Sequence, residues 1–501
     1  MPDNIEESWK IMALDAIAKT CTFTAMCFEN MGIMRYEEFI SMIFRLDYTQ
    51  PVSDEYITVT DTTFVDIPVR LYLPRRKSET RRRAVIYFHG GGFCFGSSKQ
   101  RAFDFLNRWT ANTLDAVVVG VDYRLAPQHH FPAQFEDGLA AVKFFLLEKI
   151  LTKYGVDPTR ICISGDSSGG NLATAVTQQV QNDAEIKHKI KMQVLLYPGL
   201  QITDSYLPSH RENEHGIVLT RDVAIKLVSL YFTKDEALPQ AMRRNQHMPL
   251  ESRHLFKFVN WSILLPEKYR KDYVYTEPIL GGLSYSLPGL TDSRALPLLA
   301  NDSQLQNLPL TYILTCQHDV LRDDGLMYVT RLRNVGVQVV HDHIEDGIHG
   351  ALSYMTSPFY LRLGLRIRDI GRWAGLPSTM PAPPPVPLPM APQTTGGMGS
   401  ASPRPSWGPH ATPLAVMHHL SGSHGVLSEL EAEQQPLQLR AAAPLFSLPL
   451  APNKAIFSLS TELLQRFKKI YALDVYCFPY PLSQAVMCMT SPTEATDPFF
   501  L

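Results

Sequence analysis

Residues 161–171 read ICISGDSSGGN, and this stretch decides the predicted fold. The apolar run 161–163 predicts the end of a buried strand, and the residues from 171 to 180 have the pattern of a helix. Glycines suit the sharp turn between them, because the backbone is strained there and the helix packs closely against the strand. A Gly-x-Ser-x-Gly turn between a strand and a helix is typical of a nucleophilic serine. We therefore predict that Ser167 acts as a nucleophile.

A glycine run upstream supports this interpretation. Residues 89–93 read HGGGF and directly follow the strand-like stretch AVIYF at 84–88. Such a run presents unobstructed backbone N–H groups to an oxyanion. Two elements of acyl-transfer chemistry therefore occur in the order that the chemistry requires. The alternative is that both stretches are only glycine-rich turns at the ends of buried strands.

An acid and a base are predicted far downstream. A predicted buried strand at 310–314 leads to Asp319, and a second strand at 337–344 leads to His349. Both residues would lie just past the C-terminal ends of strands, at the edge where a parallel sheet binds ligands. We predict that Asp319 orients His349 and that His349 is the general base.

Other residues of the same types lie close in sequence. Asp323 and Asp324 are the rival acids, but they open the next predicted helix, where carboxylates commonly act as N-terminal caps. His341 and His343 are the rival bases. They alternate within a predicted strand and so point to one face, which favours ordinary strand residues over metal ligands, since no third ligand follows at a recognisable spacing.

Several motifs together resemble those of the hormone-sensitive lipase family of α/β-hydrolases: HGGGF at 89–93, DYRLAP at 122–127, GDSSGGN at 165–171 and LRD at 321–323. Within that family, GDSSGGNLA at 165–173 and DGIHG at 346–350 resemble the arylacetamide deacetylase branch. The resemblance covers about residues 1–370. It implies an α/β-hydrolase fold with a mostly parallel sheet, helices on both faces and a cap.

Carried over to this sequence, the resemblance implies specific site residues. They are the catalytic triad Ser167, Asp319 and His349, and an oxyanion hole made by the segment His89, Gly90 and Gly91 with the N–H of Ser168. No cofactor or metal is expected. The predicted function is that of a serine carboxylesterase or deacetylase acting through an acyl-enzyme on carboxylic esters, acylglycerols or arylacetamides. The alternative is a catalytically weak member of the same fold that binds a small molecule or lipid.

The resemblance also bears on the cysteines and on the compartment. It carries a disulfide onto Cys94 and Cys316, with two buried free thiols as the alternative. Asn260 and Asn301 have the form of glycosylation acceptors, which matters only if the protein enters the secretory pathway. The resemblance implies a secreted protein or one of the endoplasmic reticulum lumen. The chain begins without a basic and then apolar leader, so we also expect that it could remain cytoplasmic.

Periodicity predicts the organisation of the chain. Eight strand candidates alternate with helical patterns and predict a mostly parallel sheet; they are 57–60, 65–73, 84–88, 116–121, 161–164, 192–197, 310–316 and 337–344. The alternation of strands and helices is absent at 200–309. A stretch of more than 100 residues is too long for a loop in a compact domain, so it predicts an inserted cap. The predicted units are N-terminal cap helices at 1–50, the core at 51–199, an inserted cap at 200–309, the rest of the core at 310–374 and a C-terminal tail at 375–501.

Composition limits the classes of partner. The chain has 501 residues, 45% of them hydrophobic, and a net charge of −2, which argues against nucleic acid or an anionic membrane surface. No uninterrupted run of 18 apolar residues occurs, so we expect no membrane span. Twelve prolines between Pro377 and Pro413 predict a disordered or polyproline-like tail, in which only 458–473 has helical spacing.

Overall fold

A computed structural model describes the fold for residue 2, residues 4–356 and residues 360–371. The described residues contain eight strands: β1 (Ile57–Phe64), β2 (Ile67–Pro74), β3 (Arg82–Phe88), β4 (Ala116–Val121), β5 (Val156–Asp166), β6 (Met192–Leu196), β7 (Leu310–His318) and β8 (Val339–Ile348). All eight predicted strands are therefore confirmed. The predictions for the tail, including the proline-rich stretch and the helical spacing at 458–473, lie outside the described residues.

The described part of the chain also contains fourteen α-helices. They are α1 (Ser8–Asn30), α2 (Tyr36–Arg45), α3 (Arg101–Leu114), α4 (Ala133–Phe145), α5 (Glu148–Lys153), α6 (Ser168–Asn182), α7 (Pro208–Glu212), α8 (Arg221–Phe232), α9 (Ala237–Arg243), α10 (Trp261–Leu264), α11 (Glu267–Arg270), α12 (Asp302–Leu305), α13 (Arg322–Asn334) and α14 (Arg362–Gly371). Four short 3₁₀ helices accompany them at Leu250–Phe258, Pro288–Thr291, Pro297–Leu299 and Ala351–Tyr354.

The strands form one mixed sheet. Their order is β1-β2-β4-β3-β5-β6-β7-β8. The pairs β1–β2 and β2–β4 are antiparallel, and every later pair is parallel. The mostly parallel sheet predicted from the alternation of strands and helices is therefore confirmed. The parallel strands β3, β5, β7 and β8 deliver their carboxyl ends to the same edge.

Helices cover both faces of this sheet. Ile86 and Leu195 belong to the apolar cluster that contains residues of α4, α6 and α13. Their strand neighbours Tyr87 and Leu196 belong to a second cluster, which contains residues of α1, α3 and α14. Successive strand residues point to opposite faces, so two separate clusters mean that each face is covered. Burial on both faces explains why the central strands are apolar along most of their length.

The segment between β6 and β7 contributes α7 to α12, and it contacts the two N-terminal helices. Lys226 of α8 forms an ion pair with Glu29 of α1, and the backbone N–H of Val218 donates to Asp15 at 2.9 Å. A third apolar cluster joins Ala25 of α1 to Leu227 of α8. We predicted these two regions as one cap, and these contacts hold them against each other.

Helix α1 bears on the expectation of no membrane span. It has 23 residues, and an 18-residue window within it has a mean hydropathy of 1.4. By length and composition alone it could cross a membrane, which neither confirms nor contradicts the expectation of no span. The criterion of an uninterrupted apolar run did not identify this segment as a possible span, because Asp15 and Lys19 interrupt the run without lowering its mean hydropathy far. Ile11, Leu14 and Ala25 of this helix are buried against the rest of the protein.

The disulfide between Cys94 and Cys316 is not formed in this structure, where both residues are buried free thiols. Cys94 lies in the apolar cluster beneath α8 and donates to the carbonyl of Leu227 at 3.5 Å. Cys316 lies in the separate cluster that also contains Ile348. The prediction of a disulfide is therefore wrong here, because the two side chains pack into different parts of the interior. Burial raises the pKa of both thiols, so neither is an activated thiolate.

Candidate active site

Ser167 occupies a strained turn between β5 and α6. Its backbone has φ 54° and ψ −120°, a conformation that is costly for any residue with a side chain. The turn brings α6 close to the end of β3: a methyl group on Gly169 would lie 2.1 Å from the carbonyl oxygen of Phe88. Only glycine fits there. This contact explains why a glycine follows the two serines. The turn places the Ser167 side chain beyond the edge of the sheet, where it is partly exposed.

Three predicted residues from separate strands meet at this edge. His349 Nε2 lies 2.9 Å from Ser167 Oγ, and His349 Nδ1 lies 2.9 Å from Asp319 Oδ2. Both distances are those of hydrogen bonds. The arrangement is the one in which an imidazole can take a proton from a hydroxyl while a carboxylate fixes its tautomer.

Neighbouring groups hold the acid and the base in place. Asp319 is buried, and its second carboxylate oxygen accepts from the backbone N–H of Leu321 at 2.8 Å. The ring of Tyr197 packs edge-on against the imidazole of His349, with 5.0 Å between ring centres. The Tyr197 hydroxyl in turn accepts from the N–H of Leu352 at 3.4 Å. The side chains that flank the imidazole therefore limit its rotation.

The rival acids have a structural role, although not the predicted one. Neither caps its own helix: the N-terminus of α13 has no side-chain cap. Asp323 accepts from the N–H of Ser209 at 2.7 Å, and Asp324 accepts from the N–H of Leu200 at 2.8 Å. Burial raises the pKa of Asp324 to about 7. Both carboxylates therefore tie the segment after β6 to the start of α13, which the local sequence does not reveal.

The rival bases pair with strand β7 instead of the nucleophile. His341 Nε2 lies 2.9 Å and His343 Nδ1 lies 2.8 Å from the hydroxyl of Thr315. Burial lowers the pKa of each imidazole to about 4. No cluster of three or more metal-ligating side chains occurs among the described residues.

The glycine loop after β3 is held by hydrogen bonds at its first glycine. The N–H of Gly90 donates to Asp166 Oδ1 at 2.8 Å, and the carbonyl of Gly90 accepts from the ring of His89 at 2.8 Å. His89 is buried and stacks on Tyr123, whose hydroxyl donates to the His89 carbonyl at 2.7 Å. Gly90 therefore has no free N–H for a ligand, and the prediction that His89 and Gly90 form the oxyanion hole is corrected: both hold the loop.

The next two glycines have free donors. Within the described residues, no acceptor binds the N–H groups of Gly91 and Gly92, and none binds that of Ser168 at the start of α6. Gly91 has φ 122°, and a methyl group there would lie 2.0 Å from the carbonyl oxygen of Phe95, so no other residue fits. Gly92 was not among the predicted site residues, although it is the third glycine of the HGGGF motif.

Helix α8 packs directly on this loop. Leu227 lies against Gly92, where a methyl group would come within 2.8 Å of its side chain. Tyr231 stacks on Phe93 with 3.9 Å between ring centres. The N–H of Phe93 donates to Ser168 Oγ at 3.3 Å, which joins the loop to α6. The segment inserted between β6 and β7 therefore borders the glycine loop.

Both predicted glycosylation asparagines lie at helix starts. Asn260 accepts from the N–H of Ser262 at 3.1 Å, and Asn301 accepts from the N–H of Gln304 at 2.9 Å. Each side-chain carbonyl thus caps a short helix. Asn301 is exposed and Asn260 is half-buried.

Comparison with known proteins gives a consistent result. The sequence matches the family described as alpha/beta hydrolase fold over residues 85–252 and 257–353. Arylacetamide deacetylase-like 2 of Homo sapiens is 98% identical over 370 residues, which cover 74% of this chain and 92% of that protein. Neutral cholesterol ester hydrolase 1 of Pongo abelii is 40% identical over 376 residues, or 74% of this chain and 92% of that protein. A hyperthermophilic esterase from the archaeon Pyrobaculum calidifontis superposes with a TM-score of 0.51 and 27% identity, covering 75% of this chain and 98% of that one.

Proposed function

The chain belongs to the α/β-hydrolase fold family, and from that premise we propose that it hydrolyses carboxylic esters through an acyl-enzyme formed on Ser167. The observation that carries the proposal is the continuous pair of 2.9 Å contacts from Ser167 through His349 to Asp319. A hydroxyl becomes a nucleophile when an adjacent base accepts its proton.

In the proposed reaction, Ser167 Oγ attacks the ester carbonyl while its proton moves to His349 Nε2. Asp319 holds Nδ1 protonated and stabilises the imidazolium that forms. His349 then returns the proton to the leaving alcohol. A water molecule then gives a proton to His349 and attacks the carbonyl carbon of the acyl-enzyme. His349 returns the proton to Ser167 Oγ as the acid is released.

The negative charge that develops on the carbonyl oxygen needs donors. The free N–H groups of Gly91, Gly92 and Ser168 fit this role, because fixed backbone donors require no reorganisation during the reaction. We assign the oxyanion hole to these three groups. Such a site needs no metal or cofactor.

The names of the relatives bear on the substrate. One relative is named arylacetamide deacetylase-like 2 and another neutral cholesterol ester hydrolase 1. We propose that this chain acts on carboxylic esters, with acylglycerols and arylacetamides as the next substrates to examine. The direct experiment is hydrolysis of p-nitrophenyl acyl esters by the purified chain, together with labelling by a serine-reactive fluorophosphonate. An inactive, unlabelled but folded protein would contradict the proposal.

Helix α8 is expected to influence the acyl preference. Because Leu227 borders Gly92, Leu227→Ala should open space beside the oxyanion loop and change the ratio of kcat/KM for acetyl and decanoyl esters by roughly tenfold. Leu264→Ala on α10 is the matched control, since the carbonyl of Leu264 accepts from Thr330 on α13 and lies outside the contacts of the loop. Equal effects of the two substitutions on both esters would show that α8 does not shape the acyl site.

We propose that the protein works inside the secretory pathway. In that compartment the exposed Asn301 should carry a glycan, since its amide nitrogen donates to no group among the described residues. Peptide-N-glycosidase should then lower the mass of protein isolated from human cells, and Asn301→Gln should abolish that part of the shift. If peptide-N-glycosidase changes the mass of neither the wild-type protein nor Asn301→Gln, the product is cytoplasmic.

A further inference from the structure

A buried carboxylate next to the nucleophile takes no part in the proposed proton transfer. Asp166 is the last residue of β5 and directly precedes Ser167. Its side chain is almost completely shielded from solvent. Burying a carboxylate is costly unless hydrogen bonds compensate, so this position needs a reason.

Two neutral donors bind the same oxygen of this carboxylate. The hydroxyl of Tyr87 donates to Asp166 Oδ1 at 2.6 Å, and the N–H of Gly90 donates to it at 2.8 Å. Burial raises the pKa of Asp166 to about 6, and these two hydrogen bonds counter that rise. A methyl group on Gly90 would lie 2.5 Å from Asp166 Oδ2, so the carboxylate lies directly against the loop.

The sheet register makes this contact possible. Strands β3 and β5 are parallel neighbours, and Phe88 lies opposite Gly165. The glycine loop and the nucleophile turn therefore leave the sheet side by side, with His89 and Asp166 each one residue beyond that pair. A side chain on Asp166 can reach Gly90 without any change in the backbone of either segment.

The contact determines which donors of the loop are free. The N–H of Gly90 is bound by Asp166 and its carbonyl by the ring of His89, so both ends of this residue are held. The N–H groups that follow, those of Gly91 and Gly92, are then the free ones. The directions of these N–H groups depend on the orientation of Gly90, because planar peptide units are joined through only two dihedral angles per residue.

We propose that Asp166 is a positioning residue that holds the oxyanion loop, residues 89–93, with the N–H groups of Gly91 and Gly92 directed at the substrate. The inference rests on the proposed function and deepens it. Asp166 touches neither the substrate nor the reacting atoms and acts only through Gly90. What the position requires is a hydrogen-bond acceptor at Oδ1, and asparagine supplies one without the charge.

Two variants of the full chain test this requirement. Asp166→Ala should lower kcat by about 100-fold and leave KM within about threefold, because the oxyanion donors act mainly in the transition state. Asp166→Asn should keep kcat within about tenfold of wild type, since its carbonyl can still accept from Gly90 and Tyr87. Asp324→Ala is the matched control: it removes another buried carboxylate with backbone donors, so it should lower Tm but keep kcat within about tenfold.

Several outcomes would overturn the assignment. An alanine variant with wild-type kcat would show that the loop keeps its conformation unaided. Equal losses in the asparagine and alanine variants would show that charge, and not an acceptor, matters at this position. Asp166→Leu keeps the side-chain volume without an acceptor and replaces the alanine variant if that protein does not fold; failure of both to fold would make Asp166 a residue of stability alone. Absence of activity in wild type would instead contradict the proposed function.

Discussion

Ser167→Ala is expected to lower the turnover of a p-nitrophenyl ester by about 10⁶-fold, because the alanine has no oxygen to form the acyl-enzyme. KM should change little, since the acyl site is unaltered. The same protein should fail to react with a fluorophosphonate. The measurement is the initial rate with enzyme concentrations high enough to follow a very slow reaction.

Histidine variants provide the matched control for this result. His349→Ala should lose about as much activity as Ser167→Ala, and the double variant should lose little more, because groups that act as a unit are not additive. His343→Ala should retain activity within a few-fold, since its imidazole contacts Thr315 and not Ser167. Activity of Ser167→Ala above a hundredth of wild type would show that another nucleophile performs the reaction.

Asp319→Asn is expected to lower kcat by about 10⁴-fold. The asparagine fits the same space but presents an amide, which favours the wrong tautomer of His349 and gives no charge to stabilise the imidazolium. Labelling by the fluorophosphonate should slow in parallel. Both rates are measured on protein whose thermal unfolding shows a folded state.

The rival acid Asp324 serves as the control for Asp319. Asp324→Asn keeps one acceptor for the N–H of Leu200 and contacts neither His349 nor Ser167, so kcat should stay within about tenfold of wild type. A similar loss in the two asparagine variants would mean that Asp319 acts through stability and not through His349.

The sequence alone was sufficient to predict the elements of the fold and the order of the site residues along the chain. Strand β4 has the bounds that were predicted for it, because a short apolar run between turn residues can be recognised from a few consecutive residues. The turn at Ser167 was equally predictable, since the small residues it needs are its immediate neighbours. The alternation of strands with helices determined that the ends of β5, β7 and β8 lie at one edge, which the structure bears out.

Only the tertiary structure decided which polar groups are paired. Nothing local to HGGGF shows that the N–H of Gly90 is bound and that of Gly92 is free, because the acceptor, Asp166, is 76 residues away in sequence. The role of Asp324 was hidden for the same reason, since its partner Leu200 is 124 residues away. The predicted bond between Cys94 and Cys316 failed because their side chains belong to different apolar clusters. Local periodicity determines where a segment runs, but hydrogen-bond partners depend on the register and the faces of segments that meet only after folding.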